Sequence, residues 1–405
     1  MGFSSRTPLS TLALLCVGVV GVLATWFSAT AVVPELLTLW QLTSTQAAWL
    51  TNGVQIGFVV GALAASVVNL PDLIRLPRLM AVSAVIAALA NAGLLVSPSA
   101  EVAVALRIIT GVALAGVYPA ALKLMATWFV KGRGLALGCL IGALTLGSSM
   151  PHLFRVLFDG VPWQSVVLAS SATSLFAALL FVVFIQEGPN AFGRAVFNPR
   201  QCLQVFSSKP LLLANLGYFG HMWELYAMWA WLLAFATAAA EGLVDFPFGS
   251  PSLFCFVVVA TGVVGCLLGG YLSDRIGRCY TTIGMMLVSG TCALLMGVFY
   301  DGPNWLLALI ALLWGASVIG DSAQFSAAVT ELADSAFVGT ALALQLGLGF
   351  ALTVLAIAGI PVFVEWLGGW QWAFLLLAPG PFLGALAMAY LRKLPEAKKL
   401  AGGLG

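Results

Sequence analysis

Apolar positions along this chain are grouped in long, almost unbroken runs, without the period-two alternation of half-exposed strands or the polar stripe of a surface helix. Runs of about 20 residues, the length at which a helix crosses the hydrocarbon core of a bilayer, recur from end to end. They define twelve spans, near residues 11–33, 46–70, 79–97, 101–127, 134–158, 163–186, 211–237, 252–272, 280–299, 303–323, 337–363 and 370–391. Such runs are too long and too continuously apolar for the alternating segments of an outer-membrane barrel. Helices, by contrast, satisfy every backbone group in lipid without a partner strand. The pattern therefore predicts an all-α membrane protein of twelve transmembrane helices, with breaks too short for a soluble domain.

Composition agrees: 61% of the 405 residues are hydrophobic and 8% are charged, against about 25% charged in soluble domains. The few charges are placed asymmetrically. With a cytoplasmic N-terminus, basic residues from Arg6, Arg75 and Arg78 through to Lys398 and Lys399 fall on the cytoplasmic side. Glu101, Asp159, Glu241, Asp245, Asp301 and Glu365 collect on the outer side, beside the lone cation Arg155. The positive-inside rule then sets both termini in the cytoplasm of a bacterial inner membrane. The net charge of +2 reports this topology and not a nucleic-acid surface. No cleavage site follows the first run, so it reads as a retained span, and Met1-Gly2 lacks the hydroxyl residue of a myristoylation signal. Neither cysteines nor histidines have ligand spacing, so no cofactor, metal or disulfide framework is expected.

The longest break, 187–209, carries Gly188, Pro189, Pro199 and three basic residues. It reads as a cytoplasmic linker between a bundle over 1–186 and a bundle over 210–405. Each half has an acidic and basic loop after its second span: PDLIRLPR at 71–78 and GGYLSDRIGR at 269–278. This internal repeat suits a monomeric transporter whose solute sits between two bundles. In such loops an Asp at one helix end and Arg residues at the next can pair with each other, with helix ends and with the opposite bundle. Asp72, Arg75, Arg78, Asp274, Arg275 and Arg278 are therefore expected to act as a gating latch. Gly269 permits close helix contact and Gly277 a turn with positive φ.

GGYLSDRIGR resembles the loop signature of the major facilitator superfamily, glycine then Asp-Arg-x-Gly-Arg, and PDLIRLPR resembles a degraded copy that keeps Asp72 and two arginines. RIITG, at 107–111, is similar to the fourth-helix signature of the same superfamily. WFVKGRGLALG, at 128–138, is similar to the fourth-to-fifth loop of its organic-anion and nitrate-type members. The resemblance implies two six-helix bundles that rock to give alternating access, and transport rather than enzymic chemistry. The Gly-Pro signature of drug and proton antiporters is replaced in the fifth span by GALTLGSSMP, at 142–151. The glycine-rich nitrate signatures are missing as well.

The most costly polar residues are in GHMWELYAMWAW, at 220–231. Glu224 falls near the membrane midplane, where an ionisable side chain costs about 3 kcal/mol. His221, Glu224, Met228 and Trp231 share one helical face, inferred to turn toward the central cavity. Two readings fit: Glu224 carries a coupling proton or contacts substrate with His221 as its neighbour, or both are interhelical glue. Arg107, inside the fourth span, either serves an anion or proton path or makes a structural pair or snorkels. Lys123, near the other end of that span, suits snorkelling. His152 and Arg155 read as an outer vestibule or an interfacial anchor. Asp321 and Gln324 read as an inner gate or a solvated helix end, and Gln345 as a cavity hydrogen-bonder or glue. Tyr118 joins the pathway candidates. Tyr218, Trp223, Tyr226, Trp229 and Trp231 suit either aromatic packing or a planar, hydrophobic substrate.

The simplest mechanism from these residues is proton-coupled symport of a small organic anion, with protons and the lipid bilayer as the other partners. Proton-driven efflux of an amphipathic or aromatic metabolite is the alternative, and a non-transporting assembly factor or sensor on the same fold is a third. No continuous polar lining suggests a channel.

Overall fold

The computed structural model describes residues 7–68, 70–129, 133–158, 160–190, 207–334 and 338–405. Arg6, Lys131, Asp159, Arg194, Arg200 and most of the expected linker lie outside the described residues, as do the side chains of Asp72 and Arg133.

Among the described residues ten helical segments are long and apolar enough to cross a bilayer. Five belong to the first half: the second span Thr45–Val67, third Leu76–Val96, fourth Ala100–Trp128, fifth Leu135–Leu157 and sixth Gln164–Phe184. Five belong to the second: the eighth Pro251–Ile276, ninth Arg278–Val298, tenth Asn304–Leu332, eleventh Val338–Leu367 and twelfth Ala373–Arg392. The first span, Pro8–Leu23, is shorter. The seventh, Lys209–Gly242, is 34 residues long, about 51 Å at the helical rise per residue. Its polar and aromatic middle is tolerable because it packs on the tenth, eleventh and twelfth spans, away from lipid. No strand occurs among the described residues.

Both halves pair their helices alike. The second span packs on the fourth and the third on the sixth, as the eighth packs on the tenth and the ninth on the twelfth. The first span packs on the fifth and sixth, as the seventh does on the eleventh and twelfth. Between the halves, the second span meets the eleventh and the fifth meets the eighth. Small residues permit these approaches. A Cβ on Gly57 would strike the Ile108 backbone, one on Gly111 the Val54 carbonyl, and one on Gly269 the Gly320 carbonyl. Gly277 joins the eighth and ninth spans at φ 89°, in the left-handed region open to glycine.

Local signals set several helix starts. Thr43 and Gln46 form a capping box at the second span: Thr43 Oγ1 accepts the Gln46 N–H at 3.2 Å, and Gln46 Oε1 accepts the Thr43 N–H at 2.9 Å.

The first span departs from the single run expected over 11–33. Its helix stops at Leu23, turns through 24–29, and resumes as a 3-10 helix, Thr30–Val32, and a helix, Val33–Trp40. The freed backbone oxygens find other donors. Thr25 Oγ1 donates to the Val22 carbonyl at 2.8 Å, Ser28 Oγ to that of Thr25 at 3.1 Å, and Arg107 to those of Thr25 and Trp26. Non-helical backbone at membrane depth survives where protein groups satisfy it. The fourth span is interrupted between Leu114 and Tyr118, and the tenth at Asp321. These breaks occupy corresponding places in the two halves.

Candidate functional site

Where the halves meet, the break in the first span presents Trp26 and Phe27 to the seventh span. Tyr226 stacks on Trp26 with ring centroids 5.5 Å apart, and Trp229 meets Tyr226 edge-on, also at 5.5 Å. Phe350 of the eleventh span lies 5.1 Å from Tyr226 and 4.6 Å from Phe58 of the second. Phe27 meets Trp229 at 6.0 Å. The result is a buried aromatic box built from four spans and both halves.

Polar atoms without partners cluster around this box. Among the described residues nothing bonds Trp26 Nε1, Trp229 Nε1, either polar atom of the Gln55 amide, or Asn52 Oδ1. Asn52 Nδ2 donates to the Val354 carbonyl at 3.3 Å, tying the second span to the eleventh. Asn52, Gln55 and Phe58 follow at three-residue intervals and share a helix face. Buried polar groups left unpaired are costly and uncommon, and five of the fourteen such side-chain atoms among the described residues are on Trp26, Asn52, Gln55 and Trp229.

Arg107 stands behind the box, fully buried. Its Nε donates to the Leu50 carbonyl at 3.1 Å. Nη1 donates to the Thr25 carbonyl at 2.8 Å and to Asn91 Oδ1 at 3.1 Å, and Nη2 to the Trp26 carbonyl. Every partner is a neutral oxygen. Arg107 therefore does not snorkel; it braces the broken first span, and among the described residues no carboxylate pairs with it. Asn91 is oriented in turn by donating to Ser171 Oγ at 2.9 Å.

Glu224 is elsewhere. Ser289 Oγ of the ninth span donates to its Oε2 at 2.5 Å, and Trp314 Nε1 of the tenth to its Oε1 at 2.7 Å. Trp231 Nε1 donates to the Ile357 carbonyl at 2.9 Å, while His221 Nδ1 lies 2.9 Å from Asp321 Oδ1. The face shared by His221, Glu224, Met228 and Trp231 is thus turned into the second half, which corrects its inferred exposure to the central cavity. The reason is the carboxylate's need for donors, met by Ser289 and Trp314. Tyr226 and Trp229 take the central position. Asp321 is buried, which replaces the solvated helix end. Gln324 is buried too and accepts from Arg278 at 2.8 Å.

The arginine expected in a latch between bundles is held inside its own half. Arg278 grips Glu331 through Nε at 2.7 Å and Nη2 at 2.5 Å, and Nη1 donates to Ser273 Oγ at 3.2 Å. Arg275 is exposed, 4.5 Å over the Tyr271 ring, and Asp274, Arg75 and Arg78 are also exposed. Arg155 pairs with Glu35. His152, one turn away, is buried with Nδ1 unpartnered. Gln345 Nε2 approaches the Phe325 carbonyl at 3.5 Å, Trp223 Nε1 donates to that of Leu376 at 2.9 Å, and Tyr118 is half-buried at the fourth-span break.

Charge-led reading of the sequence passed over Trp26, Asn52, Gln55, Ser289, Trp314 and Glu331. The two amides of TNGVQ, within an otherwise apolar run, were the available signal. Among the described residues no group of His, Cys, Asp or Glu could hold a metal.

Residues 14–345 match the sequence profile of the Major Facilitator Superfamily. Over 218 residues the chain is 25% identical to a protein of Cupriavidus necator named a probable sulfoacetate transporter, SauU, and the match spans 49% of each chain. Among solved structures, the nucleoside transporter NupG superposes with a TM-score of 0.72 at 14% identity, over 95% of this chain and 100% of that one. The proton:xylose symporter XylE gives 0.69 at 13% identity, over 94% and 96%. These two likenesses establish shared architecture.

Proposed function

The chain belongs to the Major Facilitator Superfamily, whose members are transporters and not enzymes, and from that premise we propose that it carries a small organic anion across the bacterial inner membrane together with a proton. The reading rests chiefly on the buried charges. In the first half Arg107 has only neutral partners, and in the second Glu224 has only neutral donors. An anion lodged at the box answers the first, and a proton on Glu224 answers the second. Loading both adds no net charge, and together they favour the same rearrangement of the bundles. The sulfoacetate named for the C. necator relative supports a carboxylate or sulfonate as the solute class. In this reading 1–186 and 210–405 rock about the interface as one monomer, joined by 187–209, with both termini cytoplasmic.

The test is uptake into proteoliposomes of a carboxylate and sulfonate panel under an imposed pH gradient. Accumulation driven by an acidic exterior is expected. The aromatic box favours a second reading, efflux of an amphipathic or aromatic metabolite. Uptake driven by an acidic interior would select it.

A further inference from the structure

Indole N–H groups donate hydrogen bonds and cannot accept them. In this chain the other buried tryptophans obey the usual rule that such donors are satisfied. Trp231 donates to the Ile357 carbonyl and Trp314 to Glu224. Half-buried Trp223 does the same at Leu376. Trp26 and Trp229, 1% and 2% exposed, are the exceptions, and both belong to the aromatic box. They come from opposite halves and lie against the same ring, that of Tyr226. The Gln55 amide, likewise unpartnered, sits one helical turn before Phe58 of the same box.

We infer that Trp26 and Trp229, with Gln55, form an oxyanion clamp that holds the charged head of the substrate through neutral N–H donors, while Arg107 supplies the compensating charge from behind the first-span break without touching it. This rests on the anion reading above. Two indoles that only donate suit a carboxylate or sulfonate, whose oxygens only accept; an amide carbonyl or a hydroxyl accepts as well, so preference for the anion comes from its charge, through stronger hydrogen bonds and the field of Arg107. Arg107 is held back at the break, because Nε, Nη1 and Nη2 each donate to a main-chain carbonyl there, those of Leu50, Thr25 and Trp26. It is a positioning residue, fixing the backbone that carries the Trp26 indole and adding a field undiminished by a counter-charge. An anion that accepts from both indoles also ties one half to the other. The rings already lie against one another in this structure, so the solute must part them to enter.

The experiment uses the purified full chain and four probes: benzoate and benzenesulfonate, with benzamide and benzenesulfonamide as neutral counterparts. Binding is read by calorimetry, and apoprotein stability by thermal unfolding. The anions are expected to bind and the neutral amides to bind at least tenfold more weakly. Trp26→Phe and Trp229→Phe each keep a ring and remove the N–H, so each is expected to weaken anion binding about tenfold, the loss of one hydrogen bond to a charged group. Because the lost donor is unsatisfied in the apoprotein, the unfolding midpoint should hold steady or rise, which a packing role would not produce. Gln55→Leu should act in the same direction. If anions bind and both Phe variants bind them as tightly as the parent, the clamp is overturned while anion transport stands. If none of the anions binds or neutral amides bind equally well, the anion reading falls and the clamp with it. If the anion binds through the indoles but moves no proton, only the coupling is wrong.

Discussion

His221 Nδ1 and Asp321 Oδ1 lie 2.9 Å apart with both side chains buried, joining the middle of the seventh span to the break in the tenth. The contact lacks hydrogen-bond alignment, and Asp321 Oδ1 and His221 Nε2 have no hydrogen-bond partner among the described residues. Asp321→Ala leaves the buried imidazole without its polar neighbour and is expected to lower stability by about 1 to 3 kcal/mol. The double variant His221→Leu with Asp321→Leu should recover most of that loss. A thermal double-mutant cycle checks it, and additive losses would show that the two do not act as a unit.

Glu224→Gln keeps an acceptor for Ser289 or Trp314 and removes the exchangeable charge. Substrate binding and solute counterflow should persist, while accumulation driven by a pH gradient falls to a ratio of about 1, because the linkage between proton and solute is gone. Paired counterflow and gradient-driven assays separate the two. Gradient-driven accumulation equal to that of the parent would remove Glu224 from the coupling path.

Arg107→Lys preserves charge and fails to reproduce the forked donors that hold Leu50, Thr25 and Trp26. Three main-chain oxygens lose a donor at once, so a loss of about 3 kcal/mol or more is expected. It should appear as a lower unfolding midpoint and poor recovery of folded protein. A lysine variant as stable as the parent would show that charge alone suffices.

Glycines at helix crossings differ in what they tolerate. Gly57→Ala would set a methyl group against the Ile108 backbone, and Gly269→Ala against the Gly320 carbonyl. Both should reduce folded yield severely. Gly284→Ala points into open space on the ninth span and should be neutral or stabilising by up to about 1 kcal/mol. Expression with size-exclusion profiles ranks the three.

Most of the architecture was readable because hydropathy over 20 residues is a strong signal and both halves repeat it. The break in the first span was hidden: residues 19–33 are apolar enough to continue as helix, and what interrupts them is Arg107, far along the chain. Glu224 announced itself by its cost, yet a helical wheel orders residues around an axis without fixing which neighbour each side meets. Its donors, Ser289 and Trp314, are unremarkable residues in their own spans. Asn52, Gln55 and the two unsatisfied indoles carry no formal charge, so a search led by charge passes over them.

The two halves use the same helix pairings, and they meet through the second span on the eleventh and the fifth on the eighth. Exchange the halves and this interface maps onto itself. If the halves rock about it as proposed, contacts that open at one face of the membrane have counterparts of the same helix pairing that close at the other. An equilibrium between two such forms is moved by a few kcal/mol of ligand preference. In the proposed cycle the anion at the two indoles and the proton on Glu224 would supply that preference.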